Sequence, residues 1–266
     1  MDAVLADWFG GLPWWGVALL LLAAVLAGFI DAVVGGGGLV QLPALLLVPG
    51  IAPVQALATN KLGSICGTIT SSITYYRRVR PDLRTALPMA ALACGGAAGG
   101  ALCASLLPAA VFRPVIVVAL LAVAVYTITR PSLGEETALR FSGHRHLAAA
   151  GGAGLGIGFY DGILGPGTGS FLVFALVGLM GYAFLEASAK AKIVNFATNL
   201  GALLVFVPQG AVLWGLGLAM GVANLLGGYL GARTAIARGS RFVRVFFLVV
   251  VGALVLRLGW QVVTGS

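Results

Sequence analysis

Glu186 to Asn199 reads EASAKAKIVNFATN, a polar stretch inside an otherwise strongly apolar chain. At about 100° per residue, Lys192, Asn195 and Asn199 are spaced i, i+3, i+7 and share one helix face. Glu186 and Lys190, at i and i+4 with the acid first, share a different face and can pair. A charge at mid-bilayer costs about 2.5–3.5 kcal/mol on insertion scales, so such residues face a cavity and carry function. The first half holds a weaker copy of this pattern: Lys61, Ser64, Thr68 and Ser72 share one face, with Asn60 on a neighbouring one. Two ammonium groups with adjacent hydroxyls and amides suit an oxyanion, because every member can donate a hydrogen bond. The competing role for the lysines is to neutralise Asp31 and Asp161 in buried structural pairs. One lysine can do that while the other binds substrate.

Two glycine-rich breaks complement the polar faces. Gly35–Gly38 precedes LVQLP, and Gly165–Gly169 precedes SFLVF. Each reads as a kink followed by a new helix N-terminus, where free N–H groups and the positive dipole end suit an anion. The candidate anion donors there are Gly36, Gly37, Gly38, Gly167, Thr168 and Gly169. Glycine runs also serve close helix packing. Asp31 and Asp161 stand just before the breaks. They can bind a coupling proton or sodium ion, pair with a lysine, or sit at the interface. Gln41, Gln55, Thr59 and Asn224 read as helix–helix hydrogen bonds. His144 and His146 read as surface residues of the middle loop, without a metal-ligand partner. The residues suggest no catalytic group, metal site or cofactor.

The elements that must hold these residues are membrane helices. The 266-residue chain is 60% hydrophobic and 9% charged, with a mean hydropathy of +1.04. Several stretches reach the roughly 20 apolar residues that a spanning helix needs. The fold class is therefore all-α, a polytopic membrane protein in a lipid bilayer. Asp2 and Asp7, in place of a basic n-region, argue against a signal peptide. The net charge of +8 reads as positive cytoplasmic loops and not as a nucleic-acid surface. Cys66, Cys94 and Cys103 lack metal-ligand spacing and read as small packing residues. Helical segments are expected at 14–33, 38–50, 54–76, 84–107, 111–130, 147–164, 168–181, 184–207, 211–235 and 241–261. Segments 38–50 and 168–181 are short for a full span.

The two halves repeat. GFIDAVVGGGG from Gly28 matches GFYDGILGPGTG from Gly158, an offset of about 130 residues. Asp31 then falls on Asp161, Lys61 on Lys192, Ser64 on Asn195 and Arg113 on Arg244. This divides the chain into a first repeat at 14–130, a cytoplasmic linker at 131–146 and a second repeat at 147–262. Basic residues cluster at Arg77, Arg78, Arg80 and Arg84 in the first repeat, but at Arg233, Arg238, Arg241 and Arg244 in the second. The positive-inside rule places both clusters in the cytoplasm if the second repeat is inverted, with both termini outside. Inverted repeats are typical of secondary transporters with a midplane site.

The GFIDAVVGGGG segment, the ALATNK run from Ala56, its partner ASAKAKIVNFATN and the duplicated halves resemble the sulfite exporter TauE/SafE family. That group of bacterial and archaeal membrane proteins is also called the four-toluene-sulfonate uptake permease family. The resemblance covers residues 14–260. It implies movement of sulfite, sulfoacetate or related sulfonates across the cytoplasmic (inner) membrane, with Asn60, Lys61, Lys192 and Asn195 matching the family's polar runs. One departure is GPGTG in the second half, where Pro166 removes an amide donor. The expected function is a secondary transporter, an exporter by the family's pattern, for a small sulfur-containing anion. Its alternatives are a carrier of another small oxyanion or carboxylate, and a membrane subunit of a larger complex. An intramembrane enzyme is disfavoured by the lack of a nucleophile–base pair, GxSxG or HExxH. Lys192→Ala is expected to abolish anion binding, and Lys61→Ala to weaken it. The sequence leaves the anion, the direction of transport, the coupling ion and any homo-oligomer open.

Overall fold

Proline and glycine punctuate a chain that otherwise has little reason to stop being helical. The computed structural model describes residues 12–104, 134 and 136–264. Helix α1 (Trp14–Val34) starts after the extended Pro13 and ends at Gly35, whose φ of 85° only glycine adopts without strain. A short helix α2 (Gly38–Leu46) follows, then α3 (Pro53–Val79), with proline at its first position. The Gln55 side chain caps α3 by accepting from the Ala52 N–H at 3.1 Å. Arg80, with φ 50°, closes it. Helix α4 (Leu83–Cys103) is capped by Asp82, which accepts from the Arg84 N–H at 2.9 Å.

The second half follows the same order. Helix α5 (Gly143–Ile163) ends before Gly165 (φ 85°), and α6 (Thr168–Phe174) continues into a π-helical turn over Ala175–Leu179. Then come α7 (Phe184–Phe206) and α8 (Trp214–Thr264), which is broken at Gly239 (φ 74°, ψ −174°). The last two expected segments are thus two helices joined at a glycine. The element α2 stops four residues short of the expected end, after Pro43 within it and the turn at Leu47. Helix α5 begins at Gly143, inside the expected linker. The expected segment 111–130, with Arg113 and Arg130, lies outside the described residues.

The short segments are returning arms. Leu47 and Pro49, beyond α2, line a recess with Trp15 and Leu19 at the start of α1, so the α1–α2 hairpin returns to the end it entered from. Likewise the Ala138 N–H donates to Gly181 O at 2.8 Å and the Arg140 N–H to Met180 O at 3.1 Å. These bonds bring the end of the α6 arm back beside the approach to α5. Helix α3, of 27 residues and thus about 40 Å, runs the full depth between those ends.

Helix α1 packs along α8, α5 packs along α4, and α3 and α7 meet at the centre. The closeness of the first two pairs is set by glycine. A β-carbon on Gly96 would collide with the Leu155 carbonyl, and one on Gly100 with that of Phe159. At the corresponding places Gly227 abuts Val25 and Gly231 abuts Phe29. Small residues that let helix backbones touch are a feature of packing in lipid, where apolar side chains gain little from leaving the solvent.

Three described helices are long and apolar enough to cross a membrane: α1, α4 and the Trp214–Val250 part of α8. Large apolar side chains face outward along them, including Leu19, Leu22, Leu26, Leu92, Leu218 and Val222. The protein is a polytopic helical membrane protein.

Candidate functional site

The tips of the two hairpins meet. Gly35 and Gly169 lie so close that a β-carbon on either would overlap the other's backbone, while Gly38 stands against Gly165 and Pro166. The Ser170 N–H donates to Gly35 O at 3.1 Å across this junction. A helix end at mid-depth leaves its last carbonyls without partners. The end of α1 is satisfied by side chains from three other helices: Tyr75 Oη donates to Ala32 O (3.0 Å), Ser188 Oγ to Val33 O (3.1 Å) and Ser170 Oγ to Val34 O (3.0 Å). Lys192 Nζ donates to the Asp31 carbonyl, completing the set.

Each lysine pairs with the aspartate of the other half. Lys61 Nζ on α3 lies 2.6 Å from Asp161 Oδ2 on α5, both side chains 2% exposed. Lys192 Nζ on α7 lies 3.0 Å from Asp31 Oδ2 on α1, with the lysine fully buried. Thr168 Oγ1 donates to Asp161 Oδ1 at 2.6 Å. Asn195 Nδ2 reaches both Asp31 oxygens at 3.4 Å. The mutual neutralisation weighed from sequence is therefore present at both lysines, and it crosses between the halves.

Between the pairs lies a small polar cavity lined by Asp31, Gly35, Gly38, Asn60, Lys61, Ser64, Asp161, Gly165, Thr168, Gly169, Asn195 and Asn199. It leaves about 20 Å³ to a water-sized sphere, room for a water and not for a sulfonate. Two amide groups in its wall are buried with unpartnered atoms, Asn60 Oδ1 and Asn199 Nδ2. Buried polar atoms without partners are rare and call for an explanation.

Most residues singled out from sequence converge here, but with a division of labour that spacing does not reveal. Lys61 faces the cavity. Lys192 lies behind Asp31 and caps the α1 C-terminus, where a cation also complements the helix dipole. Thr68 turns its hydroxyl back to the Ile65 carbonyl at 3.1 Å. Gly36 packs toward Val250, Gly37 against the Ala27 carbonyl, and Gly167 against Leu39 and Phe171, so none of the three lines the cavity. Gln41 and Asn224 form the expected helix–helix bond, at 2.7 Å.

Glu186 and Lys190 pair at 3.4 Å, away from the cavity. Lys190 also donates to the Asp82 carbonyl (3.1 Å) and lies 4.5 Å from the Tyr182 ring centre. Thr137 Oγ1 donates to Glu186 Oε2 at 2.8 Å. His146 is buried beside this cluster and not at the surface. Its Nε2 lies 2.8 Å from Tyr182 Oη and 3.2 Å from Thr85 Oγ1. Position in a polar loop misleads for this histidine because α5 begins earlier than expected and carries it inward. Thr85 and Tyr182 drew no attention in the sequence, although the PDLRT run that places Asp82 at a helix N-cap was readable. Among the described residues no three His, Cys, Asp or Glu side chains group as metal ligands.

Comparison with known proteins agrees with this architecture. The chain is 40% identical over 246 residues to a probable membrane transporter protein, ORF9, of a Sinorhizobium species, covering 91% of this chain and 92% of the relative. It is 37% identical over 235 residues to the probable membrane transporter protein YfcA of Escherichia coli K12, covering 88% and 86%. A probable membrane transporter protein of Haemophilus influenzae is 35% identical over 228 residues, covering 86% and 88%. No solved structure matches. The model of the sulfite exporter TauE/SafE family matches residues 20–258, and the protein is a membrane transporter that belongs to that family.

Proposed function

We propose that the protein exports a small sulfur-containing anion, sulfite or an organosulfonate, across the cytoplasmic membrane, by alternating access around the hairpin junction. The observation that carries this reading is the cavity between two cross-half lysine–aspartate pairs, walled by amides with unpartnered atoms. The four charged groups are mutually neutral when the site is empty. An incoming oxyanion takes the place of the Asp161 carboxylate on Lys61, with Asn60, Ser64 and Asn199 around it. Asp161 keeps its hydrogen bond from the Thr168 hydroxyl. Each unit of negative charge on the anion moves outward with it. An interior-negative potential of 100 mV favours that by about 2.3 kcal/mol.

The present state is closed, since the cavity is smaller than such an anion. Opening parts the two halves, and the matched glycine contacts of α1 on α8 and α5 on α4 support two inverted repeats moving as units. The test is uptake of labelled sulfite, thiosulfate and sulfoacetate into proteoliposomes made with the purified protein. Saturable uptake of one of them, above protein-free liposomes and dependent on an imposed potential, is the expected result. Equal uptake with and without folded protein for all three refutes the sulfur-anion reading.

A further inference from the structure

A cleft between the C-terminal turns of α3 and the middle of α8 contains Arg77, Arg78 and Arg233, with Ile73, Tyr229 and Ile236 among its other walls. Its volume is about 440 Å³. The three arginines are exposed, and no described carboxylate forms a salt bridge with any of them. Arg233 is already oriented, with Nη1 donating to Tyr229 Oη at 3.2 Å and the guanidinium 5.5 Å from the ring centre. Arg77 also borders an adjoining recess with Tyr76 and Arg80.

Depth identifies the ligand. Arg233 stands 19 positions after Trp214, about 28 Å along the helix, which is close to the thickness of a bilayer's hydrocarbon core. Trp214 is 52% exposed, as suits one interface, and the arginines then mark the opposite one. Toward the bilayer centre the cleft continues as an exposed apolar track. On α3, Ile69 and Ile73 precede Arg77 at four-residue steps, and on α8 Leu226 and Leu230 lead to Arg233. A fork of guanidinium groups above an apolar track matches a phosphate with acyl chains below it.

We propose that this cleft binds the phosphate headgroup of an anionic phospholipid, whose chains lie along Ile69, Ile73 and Leu226. The lipid clamps α3, which carries Lys61, to α8 at the basic end of the molecule. The site is independent of the transported anion and of the hairpin junction.

The test uses the full-length protein, purified and delipidated, with phosphatidylglycerol, phosphatidylcholine or inorganic phosphate added, and reads bound lipid by native mass spectrometry and thermal unfolding in parallel. Phosphatidylglycerol is expected to stay bound and to raise the unfolding temperature, while phosphatidylcholine and inorganic phosphate do neither. Arg77→Gln with Arg233→Gln is expected to weaken phosphatidylglycerol binding about 30-fold, because two guanidinium partners of the phosphate are removed together. Each single variant is expected to show a smaller loss, which covers the case of a double variant that unfolds. Arg238→Gln, at a guanidinium that instead sits over the Phe242 ring (4.9 Å), leaves binding unchanged. Undiminished phosphatidylglycerol binding by the single and double variants overturns the proposal. So does an equal effect of phosphatidylcholine, or of inorganic phosphate alone.

Discussion

Lys61 and Lys192 are equivalent in the repeated sequence, yet their surroundings separate them. Lys61 presents to a cavity and bonds Asp161, whereas Lys192 is spent on the carboxylate and carbonyl of Asp31. Removing one partner of a buried pair costs about 3–5 kcal/mol, because the other is left charged and alone. Lys61→Met should therefore destabilise the protein by about that amount in detergent unfolding. Lys61→Met with Asp161→Leu should recover most of the loss while remaining inactive in anion uptake. If the double variant transports normally, the pair is structural only. The lysines, asparagines and aspartates of the site were legible from spacing and duplication. The unequal surroundings of the lysines were not, because they depend on the α1 carbonyls that Lys192 caps, and a side-chain pattern carries no record of backbone acceptors.

At the level of elements, the glycines divide by what stands opposite them. Gly169→Ala drives a methyl group into the Gly35 backbone, and neither hairpin tip can retreat without breaking the junction. We expect Gly169→Ala to abolish folded yield, measured by monodispersity after detergent extraction. Gly152→Ala, at an exposed position in the middle of α5 with nothing within 4 Å, should instead be neutral or stabilise by about 0.5–1 kcal/mol. Comparable losses from both would contradict this packing account. The α4 cap carries a pH dependence. Partial burial pushes the Asp82 carboxyl up, but hydrogen bonds from the Thr85 hydroxyl and the Arg84 N–H, with the Lys190 ammonium, outweigh it and hold the group below its ordinary range. Its stabilising contribution is complete above the ordinary carboxylate pKa of about 4 and is lost as pH falls through the lower folded value. The protection of amides in the first turn of α4, taken relative to their intrinsic exchange at each pH, should fall only in acid, and Asp82→Asn should remove that acid step. Breaks at Gly35 and Gly165 were readable as kinks. That each turns the chain back to its own side was not, because hydropathy reports the length of an apolar segment and not its direction.

For the whole molecule, arginines of both halves meet at one end: Arg77 and Arg78 share a cleft with Arg233. Duplication and charge asymmetry together made this arrangement predictable from sequence. Cysteines placed at Arg78 and Arg238 should be labelled from one side of the membrane, and cysteines at Gly50 and Gly210 from the other. Labelling of Arg78→Cys and Arg238→Cys from opposite sides would contradict the inverted arrangement. The hairpins put both aspartates at the junction and the full-length helices α3 and α7 bring both lysines to it. Both lysine–aspartate pairs at the centre thus depend on contact between the halves.

The most direct test of that claim is sulfite binding to detergent-purified protein by titration calorimetry, comparing wild type with Lys61→Ala and Lys192→Ala at matched folded fraction. The account predicts saturable binding by wild type and its loss in Lys61→Ala. Lys192→Ala should lower stability more than it changes the affinity of the molecules that remain folded. Unchanged sulfite affinity in folded Lys61→Ala would contradict the account.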